Sequence, residues 1–177
     1  MPPAEIRLLA AADASAYWDL RLEALESQPE AFASSADEHR ATSVANTAAR
    51  LGTDQVDNFV FGAFLNNELV GTAGFYREHG AKVCHKGHIW GVYVAGRARH
   101  RGIGRELLVH LLAHAGKIDG IEQIALVAST PQTAAIELYR SLGFRTFGTQ
   151  QRALKLGERY VDQEHMVLDV RPTGLLP

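Results

Sequence analysis

The segment at residues 99–112 reads RHRGIGRELLVHLL and carries the most specific signal in the chain. Its two glycines, Gly102 and Gly104, stand among arginines and lead directly into leucine pairs at helical spacing. The start of a helix carries backbone N–H groups without intrahelical partners and a partial positive charge. Glycines there let a bulky anion approach the main chain closely. The segment therefore predicts a main-chain cup for a phosphate or diphosphate. Three cations are expected around that cup: Arg99, Arg101 and Arg105.

Two other phosphate-binding motifs fit this segment poorly. A Walker loop requires Gly-Lys-Ser/Thr, whereas Gly104 is followed by Arg105 and Glu106. The dinucleotide fingerprint requires a third small residue at the position that Leu107 occupies. A nucleotide-binding module of another kind therefore stays a third hypothesis, and it predicts thermal stabilisation by ATP or NAD.

The composition is that of an ordinary soluble chain. It has 177 residues, of which 46% are hydrophobic and 21% charged, with a formal net charge of -2. These values predict one globular domain over residues 1–177 and argue against a nucleic-acid partner bound by a basic surface. Cys84 is the single cysteine, which excludes an internal disulfide and fits the cytoplasm. No apolar run approaches the ~20 residues that span a bilayer, so we expect no membrane partner.

Apolar periodicity and turn residues predict the element order β-α-α-β-β-β-α-β-α-β-β, a mixed α/β protein with a central strand–helix–strand crossover. Asn66 and Asn67 tolerate positive φ and predict a hairpin between two apolar runs. One helix is predicted over residues 35–51, and a hydroxyl cap at Thr130 is expected to open another. The near-continuous apolar run QIALVAST, at 123–130, predicts a buried parallel strand.

Several segments resemble one known family. Residues 99–104, read as Arg-x-x-Gly-x-Gly, match the pyrophosphate loop of the GNAT superfamily of acyl-CoA-dependent N-acyltransferases. IWGVYVAGRARHRGIGRELL, at 89–108, resembles that family's fourth strand, loop and third helix. ALVASTPQTAAIELYRSLGF, at 125–144, resembles its fifth strand and fourth helix, with the signature A-x-x-LY-x-x-x-GF. RLEALESQPEAF (21–32) and DQEHMVL (162–168) are similar to segments of one broad subset of the family.

The resemblance covers nearly the whole chain and implies both a fold and an activity. The implied fold is a mixed, mostly antiparallel central sheet of about seven strands with flanking helices. The implied activity is that of a single N-acetyltransferase domain, residues 1–177. It would transfer an acetyl group from acetyl-CoA to a primary amine of a small molecule, peptide or protein, by direct attack on the thioester.

The resemblance also implies how acetyl-CoA is held. The pantetheine arm would pair with the fourth strand at Val92, Tyr93 and Val94, and a main-chain N–H at that strand's bulge would face the thioester carbonyl. Gln132 stands where the family often has an asparagine that contacts the arm. The diphosphate would lie on the loop residues Arg99, His100, Arg101, Gly102, Ile103, Gly104 and Arg105.

Two catalytic residues follow from the same resemblance. Tyr139 matches the family's general acid, although its place in an apolar helix stripe also suits a core aromatic. His88 occupies the position where many relatives carry a glutamate that acts as the general base. Glu78, His85 and a water chain are alternative bases.

In this fold the acceptor usually enters between the first helices and the last hairpin. That nominates Glu26, Phe32 and Ser34 on one wall, and Tyr160 and Asp162 on the other. Carboxylates there would suit a cationic amine. The plain structural alternative makes Glu26 a solvated helix residue and Tyr160 a strand aromatic.

His79, His85 and His88 lie close in sequence, but no Cys or carboxylate stands at regular ligand spacing, so we expect no metal.

A homodimer is expected through edge strands, as is common in this fold. A non-catalytic acyl-CoA sensor is the second hypothesis for function, because His88 and Gln132 replace the usual glutamate and asparagine.

Overall fold

The structure is a computed structural model that describes residues 3–52 and 55–170. Its strands form one sheet in the order β1-β2-β3-β4-β5-β7-β6. The strands are β1 (Glu5–Leu8), β2 (Asn58–Leu65), β3 (Glu68–Arg77), β4 (Lys86–Val94), β5 (Gln123–Ser129), β6 (Arg145–Leu156) and β7 (Arg159–Asp169). The helices are α1 (Ala14–Ser27), α2 (Ala36–Arg40), α3 (Val44–Gly52), α4 (Ile103–Ala115) and α5 (Thr133–Ser141).

Every neighbouring pair of strands is antiparallel except β4 and β5, which are parallel. A parallel pair needs a crossover connection, and here α4 provides it. The mixed seven-stranded sheet with flanking helices confirms the predicted fold class, and the parallel strand predicted from QIALVAST is β5.

The sheet separates two apolar cores. Neighbouring residues of a strand point to opposite faces, and on β2 Phe61 packs in one core while Val60 packs in the other. The first core contains leucines of α4, including the fully buried Leu107 and Leu111. The second contains the buried face of α1, including Tyr17. Helices therefore cover both faces of the sheet, α4 and α5 on one, α1 and α3 on the other.

The hairpin between β2 and β3 is the one predicted: Asn66 and Asn67 have φ of 49° and 66°. The single helix predicted over residues 35–51 is instead two helices, α2 and α3. Thr42 Oγ1 donates to the His39 carbonyl at 2.6 Å, and Ser43 Oγ accepts from the Asn46 amide at 3.1 Å. Such side-chain bonds to the backbone compete with helical hydrogen bonds, which explains the break.

α5 also begins later than predicted. Thr130 does not cap it, because the helix starts at Thr133 and its N-cap residue is Gln132. The Thr130 amide donates instead to the Asp162 carbonyl of β7 at 2.9 Å. In the described ranges, no helix is both long and apolar enough to cross a membrane.

Candidate active site

A cleft opens where β4 and β5 separate. The two strands pair at three positions, the last of which is His88 with Ala125. Beyond that pair both strands continue in the same direction without bonding to each other, β4 through Val94 and β5 through Ser129. The gap, which we call the β4–β5 cleft, has a volume of about 400 Å³. An unpaired strand edge inside a cleft can accept a further extended ligand by main-chain hydrogen bonds.

A β-bulge interrupts the ladder between β3 and β4 where β4 lines the cleft. Gly91 and Val92 both lie opposite Ala73 of β3, so one of them is left out of the ladder. Gly91 has φ of 61°, and its carbonyl accepts a hydrogen bond from Thr72 Oγ1 at 3.2 Å. A glycine suits this position because a positive φ is cheap for a residue without a Cβ.

The bulge changes the face of the sheet toward which the following side chains of β4 point. Residues four apart in a regular strand share a face, yet Ile89 packs in the core under α4 while Tyr93 packs in the core under α1. Val92 and Val94 are turned toward the α4 core. The three residues expected to hold the pantetheine arm thus all line the cleft, but from both sides of the sheet.

The loop that follows β4 closes one end of the cleft. Gly102 has φ of 78° and His100 has φ of 60°. The amides of Arg105 and Glu106 donate to the Gly102 carbonyl at 3.0 and 3.1 Å. Among the described residues, no main-chain carbonyl accepts from the amides of residues 100–104. A run of unsatisfied N–H groups at the start of a helix is a site for an anion.

The three arginines of the loop differ in their surroundings. Arg99 donates from Nε to the Val94 carbonyl at 3.0 Å, and Arg105 donates to Ser141 Oγ at 3.0 Å. Both line the cleft, while Arg101 is exposed and does not. The other predicted loop residues that line it are His100, Gly102, Ile103 and Gly104.

Tyr139 lies on the opposite wall, projecting from α5. The side chain is buried, at 7% exposed, and packs edge-on against Phe144. Its hydroxyl has no hydrogen-bond partner among the described residues. Burial raises the pKa of this phenol, so it stays protonated and can donate.

Gln132 and Ser129 complete that wall. The Gln132 carboxamide donates to Glu30 at 3.2 Å and accepts from Gln28 Nε2 at 3.5 Å. Ser129 is almost fully buried, and its Oγ accepts from Gln163 Nε2 at 3.4 Å. Gln28, which the sequence did not suggest, also lines the cleft.

The three side chains predicted as alternative bases lie outside the cleft. His88 Nε2 is 2.7 Å from Glu78 Oε1, and its ring stacks on Tyr76 at 4.9 Å. The hydrogen bond to His88 lowers the pKa of the Glu78 carboxyl. The main chain of His85 accepts from the amides of residues 122 and 123. Among the described residues, no Asp or Glu lines the cleft, and its one histidine is His100.

Of the predicted acceptor residues, Phe32 lines the cleft and four others do not. Glu26 is ion-paired with Arg40. Asp162 Oδ1 accepts from the Arg152 amide at 2.8 Å, and the Arg152 guanidinium lies 3.9 Å from the Tyr160 ring. Ser34 lines a separate cavity beside α1.

Arg21 was missed by the sequence reasoning. It stands on the buried stripe of α1, one turn from Tyr17 and one turn from Leu25. A charged residue between two buried positions of one helix face is the signal that could have found it. Among the described residues, no group of three or more His, Cys, Asp and Glu side chains is placed to hold a metal ion.

The model of the Acetyltransferase (GNAT) family matches residues 17–144, which include the β4–β5 cleft, the loop and Tyr139. The chain belongs to the GNAT acetyltransferase family. No curated protein matches this GNAT acetyltransferase significantly in sequence.

Solved structures share the fold of this GNAT acetyltransferase. The acetyltransferase of GNAT family from Streptococcus pneumoniae has a TM-score of 0.85 at 22% identity, covering 95% of this chain and 99% of its own. yncA from Salmonella typhimurium, solved with its cofactor acetyl-CoA, has 0.84 at 21%, covering 99% of each chain. A phosphinothricin acetyltransferase from Sinorhizobium meliloti, in complex with AcCoA, has 0.82 at 21%, covering 99% of this chain and 94% of its own.

Proposed function

We propose that this protein transfers the acetyl group of acetyl-CoA to the primary amine of a small molecule, peptide or protein. The observation that carries the proposal is the continuity of the β4–β5 cleft, which runs from the unsatisfied loop amides to the Tyr139 hydroxyl. Two of the solved structures with this fold contain acetyl-CoA, which supports the same cosubstrate here.

Each part of the cleft suits one part of acetyl-CoA. The free amides of residues 100–104 suit the diphosphate, with Arg99 and Arg105 as flanking cations. The unpaired edge of β4 from Val92 to Val94 suits the amides of the pantetheine arm. Gln132, held between Glu30 and Gln28, presents a carboxamide to the same arm.

The reaction is a direct displacement. The amine nitrogen bonds to the thioester carbonyl carbon, the C–S bond breaks, and the thiolate leaves with the electron pair. A main-chain N–H at the Gly91 bulge would stabilise the developing oxyanion. Tyr139 would donate a proton to the leaving sulfur, and burial favours its protonated form. The proton that the amine loses goes to the base.

The base is proposed among His88, Glu78, His85 and water. The three side chains lie outside the cleft, which favours water. Replacing each of the three side chains in turn separates these assignments. A change in the pH profile of kcat for His88→Gln would assign the base to His88, and an unchanged profile would remove it. Unchanged profiles for Glu78→Gln and His85→Gln as well would assign the base to water.

We further propose that residues 1–177 act as one N-acetyltransferase domain, since strands from β1 to β7 share a single sheet. A homodimer is proposed through the sheet edge at β6, where Phe147 is 63% exposed. A cytoplasmic location is proposed from the free Cys84.

Calorimetry with acetyl-CoA and an assay of free thiol with a panel of amines test the proposed function. We expect heat on titration and thiol release that depends on the acceptor. Heat without thiol release from any amine would instead identify a non-catalytic sensor. Stabilisation by ATP or NAD and not by acetyl-CoA would identify the nucleotide-binding hypothesis.

A further inference from the structure

A second cavity adjoins the cleft on the α1 side of the sheet. It has a volume of about 350 Å³, and we call it the Arg21 cavity. The titratable and aromatic residues of its lining are Tyr17, Arg21, Glu38, His39, Arg50 and Trp90. It is therefore a polar pocket with two arginines and an aromatic wall.

Arg21 is the unusual member of this lining. Its Nη1 atom is buried and has no hydrogen-bond partner among the described residues. The guanidinium carbon lies 4.4 Å from the ring centroid of Phe32, a cation–π contact that gives Nη1 no hydrogen-bond acceptor. A buried charged donor without an acceptor is costly, and an anion bound beside it would remove that cost.

The charges around Arg21 do not neutralise it. Burial lowers the pKa of the Arg21 guanidinium. The Tyr17 phenol opposes this shift, and the nearby Arg50 adds to it. The carboxylate in the lining is Glu38, which accepts from the Ser35 amide at 2.7 Å and from Ser35 Oγ at 3.1 Å. Glu38 thus caps α2, and no described carboxylate forms an ion pair with Arg21.

The Arg21 cavity and the cleft meet at the reacting end. Trp90 lines both, and Phe32, which contacts Arg21, lines the cleft. A Cβ built on Gly91 would lie 3.8 Å from Arg21 Nη1. Gly91 belongs to the bulge proposed to face the thioester carbonyl, so Arg21 lies beside the proposed point of transfer.

We propose that Arg21 binds an acid group of the acceptor, which is therefore a compact amino acid: an amine with an anionic group a few bonds from its nitrogen. This inference rests on the proposed function and names the substrate class of the same site. The guanidinium would also disfavour the ammonium form of the bound amine, because like charges repel. That effect would supply a neutral nucleophile in a cleft without a described Asp or Glu in its lining.

The test measures thiol release with L-α-amino acids and with the α-carboxamide of each, for the wild type and for Arg21→Gln. We expect the substitution to lower kcat/KM for the acids by on the order of 10- to 100-fold, as for a lost charge-assisted hydrogen bond. Little change is expected for the carboxamides. For each acceptor, kcat/KM of Arg21→Gln is divided by that of the wild type. The difference in amine pKa between an acid and its carboxamide therefore does not affect the comparison. α-Aminophosphonates and their neutral diesters are assayed in the same way. They show whether the anionic group that Arg21 binds is a carboxylate or a phosphonate.

Arg145→Gln is the matched control. Arg145 lies on β6, lines neither the cleft nor the Arg21 cavity, and forms an exposed ion pair with Asp169 of β7, so its replacement also removes one positive charge. Its kcat/KM values should equal those of the wild type. Retained acetyl-CoA affinity and Tm show that Arg21→Gln is folded. An equal loss for acids and carboxamides, or no loss for either, would overturn the inference.

A binding measurement covers the case in which Arg21→Gln does not fold. Carboxylic acids that lack the amino group are titrated into the wild type with CoA bound, beside their carboxamides. Binding of the acids alone supports the anion site, and equal or absent binding of both overturns it. If no acceptor releases thiol in any arm, the proposed transfer fails while this titration still decides the role of Arg21.

Discussion

At the scale of single residues, Tyr139 combines burial with a hydroxyl that has no partner among the described residues. Most buried hydroxyl groups in proteins are hydrogen-bonded, so a free one that faces a cleft indicates a ligand or a leaving group. Because its pKa is raised, the phenol keeps its proton at neutral pH, and the hydroxyl is available as a hydrogen-bond donor to the leaving sulfur.

We expect Tyr139→Phe to lower kcat by about 100-fold and to leave the acetyl-CoA Kd within about twofold, because a general acid acts in the transition state. Steady-state kinetics and calorimetry measure the two quantities. The control is Tyr76→Phe, since Tyr76 lies on β3 away from the cleft. Wild-type turnover of the Tyr139 variant would remove it as the acid.

At the scale of elements, the loop and the first turn of α4 act together as an anion site. Gly104→Glu would place a side chain and a negative charge at that turn. We expect its acetyl-CoA affinity to fall by more than about tenfold in calorimetry, because the charge opposes both the diphosphate and the helix dipole.

Val109→Glu is the control for that variant. Val109 lies on the same helix, is 46% exposed and does not line the cleft. The Val109→Glu variant adds the same negative charge and should leave the acetyl-CoA affinity unchanged. Equal affinity of Gly104→Glu and wild type would count against the loop as the diphosphate site.

The bulge of β4 gives a second prediction at this scale. Gly91→Ala forces a side chain onto φ of 61°, so we expect the free energy of unfolding to fall by about 1–2 kcal/mol in urea. Gly96→Ala is the comparison, because a Cβ there meets nothing within 4 Å. If both variants are equally stable, β4 does not need a glycine at the bulge.

Elements whose residues show a recognisable turn or helix-start signature were predictable from sequence, whereas the helix break and the strand separation were not. Asn66 and Asn67 carry their own turn chemistry, and the loop glycines precede an amphipathic helix. The break between α2 and α3 depends on side-chain bonds made by Thr42 and Ser43 that a propensity pattern hides. The separation of β4 from β5 depends on pairing between residues far apart in sequence.

At the scale of the whole molecule, one ion pair fastens the first strand to the segment that leads into α1. Arg7 donates to both Asp13 oxygens at 2.8 and 2.7 Å, and the Asp13 carboxylate also accepts from the Ala10 amide at 2.8 Å. The bond from Arg7 holds the pKa of Asp13 below its usual value. Its stabilisation is therefore complete above the unfolded value of 3.8 and is lost as the pH falls through the folded value.

We expect Asp13→Asn to lower the free energy of unfolding at pH 7 by about 1 kcal/mol, a figure discounted for solvent screening. The variant should also lose less stability than the wild type below pH ~4. Urea unfolding across pH measures both effects. Asp37→Asn, which changes a 93% exposed carboxylate, should follow the wild-type profile. Parallel profiles for Asp13→Asn and wild type would contradict the assignment.

The residues of the candidate site were predictable from sequence only where several of them lie in one short segment. The loop, Tyr139 and Val92 to Val94 are recognisable in short stretches, and all of these except Arg101 line the cleft. Arg21 was not predictable, because the fold brings it next to Phe32 and Gly91, which are distant from it in sequence. His88 stands at the matching position in sequence, but it precedes the point where the strands part and faces Glu78.

The β4–β5 cleft is lined from both faces of the sheet, by Val92 and Val94 on the α4 side and by Trp90 and Phe32 on the α1 side. Two reactants that approach from opposite openings can be present together without either blocking the other. Initial-rate plots should therefore show intersecting lines, the mark of a ternary complex, rather than the parallel lines of a ping-pong scheme. A non-hydrolysable thioether analogue should compete with acetyl-CoA and not with the amine.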